Sequence, residues 1–249
     1  MSIGTKRTMG RAALTAALTV LGACGGSEGE TAGGARSDSV VTVPSVPTVT
    51  VAALAPSSFS GTLPCADCAG IATTVALFSD TTYRLREVPA GKGGAPAVSM
   101  GRWTHDGTTL TLDGVGRRIT LAVLGEDTLQ LREQNGQALA GGAPAALVRA
   151  DSMDAVRESA TFVGTFSAMP EGATFRECGS GQTYDVSTRG AYKTVGKSYT
   201  AAKLPPGSGQ QVEVTARFTP RPATMDGPRE RDVIEFARYL GPAANPECR

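Results

Sequence analysis

The chain has 249 residues, enough for two small domains, and its charge is nearly balanced, with 24 basic and 23 acidic side chains. Loss of the first 23 residues, inferred below, removes three basic residues and no acidic one, which leaves 21 against 23, or a net charge of −2. Such a protein lacks the positive field that nucleic-acid binding requires, so we exclude that class.

The N-terminus has the pattern of a secretion signal. Lys6, Arg7 and Arg11 precede the apolar run 12–21, which is well short of the ~20 residues that span a bilayer. The run ends in Leu-Gly-Ala-Cys at 21–24, which resembles a bacterial lipobox. We predict a signal peptide over 1–23 and lipidation of Cys24. Gly25 rather than Asp follows the cysteine, and the resemblance to Gram-negative lipoproteins then implies an outer-membrane location facing the periplasm. The alternative is ordinary cleavage that leaves Cys24 as a free thiol.

Residues 24–57 are predicted to be a flexible tether. Prolines at 44 and 47 interrupt the Val/Thr alternation of 40–51 and Pro56 follows it, and proline removes ladder donors and favours extended chain. Such a tether has an r.m.s. span of roughly 30 Å.

Residues 58–149 show short segments with period-2 alternation, separated by turn signals, which predicts a small antiparallel β domain. The predicted strands are 71–78, 82–87, 100–105, 108–112, 118–124 and 128–131. The only histidine, His105, precedes the hairpin signal Asp106-Gly107. An exposed turn residue is the simpler interpretation, and serine-hydrolase chemistry is therefore disfavoured.

A charged segment over 150–159 is predicted to link this unit to a second one over 160–249. Five strands are predicted there, at 161–169, 173–178, 182–187, 211–218 and 232–240, with a helix over 191–202 after the third. That order is typical of an OB-like barrel. Tyr192, Val195 and Tyr199 form a core-facing stripe on the helix.

Four cysteines remain after Cys24, and an exported chain can keep disulfides. The economical pairing is Cys65 with Cys68 and Cys178 with Cys248. The chain-entropy model gives about 1.9 kcal/mol for the four-residue loop and about 4.4 kcal/mol for the 71-residue loop. The second bond is therefore predicted to be structural, and the first is the candidate for chemistry.

Three hypotheses remain open for Cys65 and Cys68. Thioredoxin-type catalysis needs a helix N-terminus, but a predicted strand follows the pair. Two thiolates suit Cu(I) in the reduced form, although they make only part of a site. A disulfide that only stabilises the loop is the plainest interpretation. A zinc ribbon would need a second closely spaced cysteine pair, and the sequence has none.

The sequence at 63–71 is Leu-Pro-Cys-Ala-Asp-Cys-Ala-Gly-Ile, and it is followed by Thr73, Thr82-Tyr83 and Gly101-x-Trp103. This set of motifs resembles the N-terminal domain of the NlpE lipoproteins, a family linked to copper resistance. Ala-Thr-Phe at 173–175, Cys178 and a cysteine near the C-terminus resemble that family's second, OB-like domain.

The resemblance implies a lipocalin-like barrel, an outer-membrane location and a role in envelope stress sensing and copper tolerance, with signalling to an inner-membrane kinase of the Cpx type. We therefore predict a non-enzymatic protein without a resident cofactor, with Cu(I) as the metal that Cys65 and Cys68 would take. The alternative is a carrier that holds a lipid or another apolar ligand inside the first barrel.

Overall fold

The computed structural model describes residues 49–91, 93–140, 145–205, 207–226, 231–243 and 248. The predicted signal segment, the predicted lipidation residue Cys24 and the predicted tether up to residue 48 lie outside the described residues. Within the described ranges, no helix is long and apolar enough to cross a membrane.

The first unit is a closed barrel of eight antiparallel strands, which confirms the antiparallel β domain predicted from the sequence and the barrel that the resemblance implies. It closes because β1 pairs with β2 on one side and with β8 on the other. The strands are β1 (Ser57–Leu63), β2 (Ile71–Leu77), β3 (Thr82–Pro89), β4 (Ala97–His105), β5 (Thr109–Gly114), β6 (Arg117–Val123), β7 (Thr128–Arg132) and β8 (Ala146–Arg149). The six predicted strands correspond to β2–β7, whereas the two strands that close the barrel were not predicted.

The barrel interior is filled with large apolar side chains. Alternate residues of a strand point to opposite faces, so the inward set of each strand can pack against the others. The fully buried members of this core include Phe59, Leu85, Leu110, Leu112 and Leu121. The indole N–H of Trp103 donates to the carbonyl of Phe78 at 3.1 Å, which satisfies the one polar atom of this buried ring.

The chain is already packed before residue 58. A short helix α1 (Val51–Leu54) precedes β1, and both Val49 and Leu54 are buried in the barrel core. The described chain is thus packed from Val49, eight residues before the predicted end of the tether at residue 57.

The second unit has the predicted order of five strands with a helix after the third. The elements are β9 (Ala160–Met169), β10 (Gly172–Glu177), β11 (Thr183–Asp185), α2 (Tyr192–Ala201), β12 (Gln210–Thr219) and β13 (Val233–Pro242). The strands form one sheet in the order β11-β10-β9-β12-β13. Register shifts in the β12–β13 pair mark bulges, which help a sheet to curl.

Helix α2 packs on this sheet through the predicted stripe. Val195 is fully buried, and the rings of Tyr192 and Tyr199 meet Phe166 edge-on, with ring centroids 6.4 and 5.6 Å apart. These tyrosines are packing residues, as predicted.

The two units share core residues. Met100 lies on barrel strand β4, yet it is buried in the hydrophobic core of the second sheet, with Val98 beside it. Side chains alternate between the two faces of a strand, so residues 100 and 103 of β4 face opposite sides. Met100 therefore points out of the barrel, whereas Trp103 points into it. The outer surface of β4 is therefore one wall of the second core.

Candidate functional site

The Cys65–Cys68 pair lies in the loop that joins β1 to β2 at one end of the barrel. The last pair of the ladder is Leu63 with Ile71, so the loop leaves the sheet directly after that rung. Both cysteines are half-buried, whereas Ala66 and Asp67 between them are exposed. A solvent-facing position is what a redox-active or metal-binding loop requires.

Gly70 allows the loop to return into β2. Its φ is +147°, and a Cβ there would stand 2.5 Å from Cγ2 of Thr62. Its carbonyl accepts a 2.8 Å hydrogen bond from the amide of Ala90. This backbone position is accessible to glycine and strained for other residues, which explains the glycine of the motif in physical terms.

A disulfide joins Cys65 to Cys68, with Cα atoms 5.3 Å apart. Sγ of Cys65 lies 3.5 Å from Oδ1 of Asp67, and Sγ of Cys68 lies 3.2 Å from the carbonyl of Gly70. The ligand atoms of Cys65, Asp67 and Cys68 all lie within 4.8 Å of one another.

The chemistry of this group depends on its redox state. In the disulfide the sulfurs are poor ligands, whereas reduction supplies two thiolates beside a carboxylate. Two thiolates suit Cu(I), so the donor set fits a soft metal only after reduction. The sequence prediction did not include Asp67, although its position between the two cysteines was the available signal.

The second disulfide joins Cys178 to Cys248, which are 70 positions apart in the sequence. Cys178 follows β10 and begins a turn that buried Glu177 organises. The carboxylate of Glu177 accepts hydrogen bonds from the amides of Gly179 (2.8 Å) and Ser180 (2.6 Å) and from the Ser180 hydroxyl (2.7 Å). Burial raises the pKa of Glu177, and these three hydrogen bonds oppose the increase.

This turn touches the barrel. A Cβ on Gly179 would lie 3.0 Å from the carbonyl of Met100 and 3.2 Å from Cγ2 of Val115. Because Gly179 follows Cys178 directly, Cys178 lies at the junction between the two units. In the sequence it is far from the Cys65–Cys68 loop. The arrangement agrees with a structural role for this disulfide.

A buried ion pair also joins the two units. Nη1 of Arg84, on β3, donates to Oδ2 of Asp232 at 2.7 Å and to the carbonyl of Ala155 at 3.1 Å. The two charged side chains are 4% and 6% exposed. The Arg84 guanidinium stacks 3.5 Å from the ring centroid of Phe218. Nothing in the sequence indicated this contact, since its partners are 148 positions apart.

The segment 150–159, predicted as a linker, runs against the barrel. The guanidinium of Arg86 pairs with Asp154 at 2.7 Å and with Glu158. The amide of Asp154 also donates to the hydroxyl of Ser58 at 2.9 Å. The segment thus forms several polar contacts with β1 and β3.

A cleft of about 690 Å³ opens beside the buried pair, between β3 and β11. Arg84, Tyr184 and Arg221 line it, but neither Cys65 nor Cys68 does. Burial raises the pKa of Tyr184 to about 12, so its hydroxyl stays protonated at neutral pH. Arg221 pairs with Asp185 across the same wall.

His105 is the last residue of β4, next to the predicted hairpin turn. The carboxylate of Asp106 accepts hydrogen bonds from the amides of Thr108 and Thr109, at 3.0 and 2.7 Å. These bonds hold the pKa of Asp106 below its usual value. The residues that follow His105 thus build the predicted turn, but His105 itself is half-buried on β4 and is not the exposed turn residue that the sequence analysis expected.

Two family models match the chain. One is described as the NlpE N-terminal domain and matches residues 59–142; the other is described as the NlpE C-terminal OB domain and matches residues 156–249. Together they cover more than two thirds of the sequence. The chain belongs to the NlpE family. The matched regions coincide with the barrel and the second sheet, so the predicted resemblance and the OB-like fold class are confirmed, and neither NlpE model describes a catalytic domain.

Similar proteins carry the same family name. Lipoprotein NlpE of Escherichia coli strain K12 is 30% identical over 151 residues, and the match covers 59% of this chain and 62% of that protein. The chain therefore spans less than two thirds of the length of this curated NlpE relative.

Two solved structures are also similar. The crystal structure of the Cpx pathway activator NlpE from Escherichia coli is 23% identical, with a TM-score of 0.31, over 75% of this chain and 95% of that one. A Shewanella oneidensis protein named as a lipoprotein is 28% identical, with a TM-score of 0.35, over 39% of this chain and 90% of that one.

Proposed function

We propose that this chain is a non-enzymatic lipoprotein, anchored through Cys24 in the outer membrane, that reports envelope stress and contributes to copper tolerance. Membership of the NlpE family supports the proposal, as does the name of the solved relative as an activator of the Cpx pathway. The observation that carries it is the solvent-facing Cys65–Asp67–Cys68 group, whose ligand atoms already lie within 4.8 Å of one another.

The filled barrel favours signalling over the carrier alternative. A carrier needs a lined cavity inside the barrel, but the interior of this one is occupied by buried side chains such as Phe59, Leu110 and Leu121. The responsive group is thus at the surface of the barrel, where a partner can reach it.

In the proposed mechanism the loop responds to the redox state of the envelope. A dithiol reductant exchanges with the Cys65–Cys68 disulfide, so that the reductant becomes a disulfide while the loop gains two thiols. Cu(I) then displaces the thiol protons and binds the two thiolates, with Asp67 beside them. The four-residue loop contributes only about 1.9 kcal/mol through chain entropy, so the barrel remains folded while the bond opens.

The proposed partner is an inner-membrane sensor kinase of the Cpx type. The tether predicted from the sequence would allow the folded units to move away from the lipid anchor.

We expect Cys24→Ser to release the protein from the outer membrane into the periplasm without a change in either fold. Fractionation tests this, and a variant that stays in the outer membrane would contradict the predicted lipidation site.

Copper binding is tested on purified protein. We expect the reduced protein to bind one Cu(I) competitively against a chromogenic Cu(I) chelator, and the oxidised protein to leave the metal with the chelator. Cys65→Ser with Cys68→Ser should abolish binding, whereas Cys178→Ser is the matched control and should retain it. Binding that survives the double substitution would move the site elsewhere, for example to Met169, which is 55% exposed.

Signalling is tested in an Escherichia coli strain that lacks its own NlpE and carries a Cpx-responsive reporter. We expect expression of this chain to raise reporter output and copper to raise it further. The Cys65→Ser, Cys68→Ser variant should lose only the copper response. A reporter that does not respond to the wild-type chain would contradict the proposed partner and leave the copper measurement valid.

A further inference from the structure

The outer face of helix α2 and the chain around it carry an unusual concentration of positive charge. Between Asp185 and Glu213 the sequence contains four basic residues and no acidic one. They are Arg189, Lys193, Lys197 and Lys203, and all four side chains are exposed. We call this set the basic face. It lies within a chain whose charges are otherwise nearly balanced.

The basic face contrasts with eight arginines elsewhere in how its charges are matched. Eight arginines elsewhere in the described chain form salt bridges with carboxylates: Arg84, Arg86, Arg117, Arg118, Arg149, Arg157, Arg217 and Arg221. Across the residues that the structure describes, no member of the basic face has such a partner. Its charges are therefore available to a molecule outside the chain.

The fold holds the basic face in place. The opposite side of α2 is fixed by buried Val195 and by the hydroxyl of Ser198, which is 2.7 Å from that of Tyr239. Lys193 and Lys197 are four positions apart on the helix, so they project from adjacent turns of one side. The helix cannot rotate to bury them without breaking that core contact.

An apolar side chain lies at the end of the basic face. Leu204 follows Lys203 directly and is 38% exposed, and Pro205 after it is also exposed. Lysine side chains can lay their alkyl stems on an apolar layer while the ammonium stays in water. A helix with cations on its open side and a leucine at its end matches the interfacial zone of a bilayer, where apolar contact and attraction to anionic lipid add together.

We propose that the basic face docks the second domain onto a membrane surface that contains anionic phospholipid. The inference extends the proposed lipid-anchored function, because an anchored domain meets its own membrane at high effective concentration. It also gives the second domain a task distinct from that of the Cys65–Cys68 loop. Docking would hold the domain flat on the bilayer, and release would free it to extend along the tether.

The test uses the chain from residue 24 with Cys24→Ser, which has no acyl group, so the result does not depend on the lipid anchor. Co-sedimentation is measured with vesicles that contain phosphatidylglycerol and with vesicles of phosphatidylcholine alone. We expect binding only to the anionic vesicles. It should weaken strongly between about 0.1 and 1 M salt, because the Debye length falls from about 10 to about 3 Å.

The variants distinguish binding through the basic face from binding through the overall positive charge of the second domain. Lys193→Gln with Lys197→Gln should weaken binding about 25-fold, since each basic residue near such a surface contributes about fivefold. Arg231→Gln with Arg238→Gln removes the same charge from exposed sites elsewhere on the second domain and should bind as the parent does. Leu204→Ser should weaken binding at both salt concentrations.

The proposal is overturned if the parent does not bind phosphatidylglycerol vesicles, if it binds phosphatidylcholine equally well, or if the control pair loses as much as the lysine pair. The first of these outcomes would assign the basic face to an acidic protein instead. Circular dichroism of each variant checks that α2 is retained, and all five substituted positions of the second domain are exposed to solvent.

Discussion

Removal of Arg84 should strongly destabilise the junction between the two units. The side chain is 4% exposed, pairs with an aspartate that is 6% exposed, and also stacks on Phe218. Removing one partner of a buried pair costs about 3–5 kcal/mol, because the other charge stays buried without compensation. Here Asp232 keeps a second contact, 2.7 Å from Nη2 of Arg157. We therefore expect Arg84→Ala to lower the free energy of unfolding by about 3 kcal/mol.

Equilibrium denaturation in urea measures this loss, and a double-mutant cycle isolates the pair. Arg84→Met with Asp232→Leu removes both buried charges and should recover most of the stability, because apolar replacement of a buried pair is often neutral. Arg157 is 45% exposed and can remain solvated in that variant. The control is Arg118→Ala, whose pair with Asp113 is 62% and 35% exposed and should be worth less than about 1 kcal/mol.

Two results would refute this reasoning. If Arg84→Ala costs no more than Arg118→Ala, the pair does not hold the junction. If the double variant is as unstable as Arg84→Ala alone, the loss comes from packing around the arginine and not from an unpaired charge.

Three further predictions concern stability and use the same denaturation assay. Cys178→Ala should cost far more than Cys65→Ala, about 4.4 against about 1.9 kcal/mol at most, because the loops that the two bonds close differ so much in length; equal losses would show that the ranking is wrong. Gly70→Ala should cost about 1–3 kcal/mol, since its φ of +147° is unfavourable for a side chain, whereas Gly196→Ala on α2 meets nothing within 4 Å and should stabilise by up to about 1 kcal/mol. Burial raises the pKa of Glu177 in the folded protein, so its contribution to stability is full below the pKa of the unfolded state and is lost as pH rises through the pKa of the folded state. Relative to Glu177→Gln, the wild type should therefore lose stability from acid to neutral pH. A stability difference between the two proteins that does not change with pH would contradict the raised pKa.

The sequence predicted the features that depend on nearby residues. Period-2 alternation located the inner strands of the barrel, and the stripe of Tyr192, Val195 and Tyr199 located α2 within one residue at each end. The motif around Cys65 and Cys68 was visible because its glycine, proline and cysteines are contiguous. In each case the physical cause acts within about ten residues.

The features that the sequence did not predict depend on distant parts of the chain. Strand β1 contains three serines and a glycine, and β8 has only four residues, so neither has the apolar run of a typical strand. Their pairing with each other closes the barrel, and such closure cannot be read from either segment alone. The Arg84–Asp232 contact was invisible for the same reason, since both residues look like ordinary surface charges in the sequence.

The burial of Met100 in the second core has a consequence for how the two domains can be exchanged. A chain that ends at residue 149 would leave that methionine exposed on the outside of the barrel, and a fragment that begins at residue 156 would lack one wall of its own core. The two regions that the family models delimit are therefore not independent modules in this molecule. A chimera that joins this barrel to the OB domain of a relative would need a side chain of matching size at position 100, so this position of the barrel helps to select which second domains it can accept.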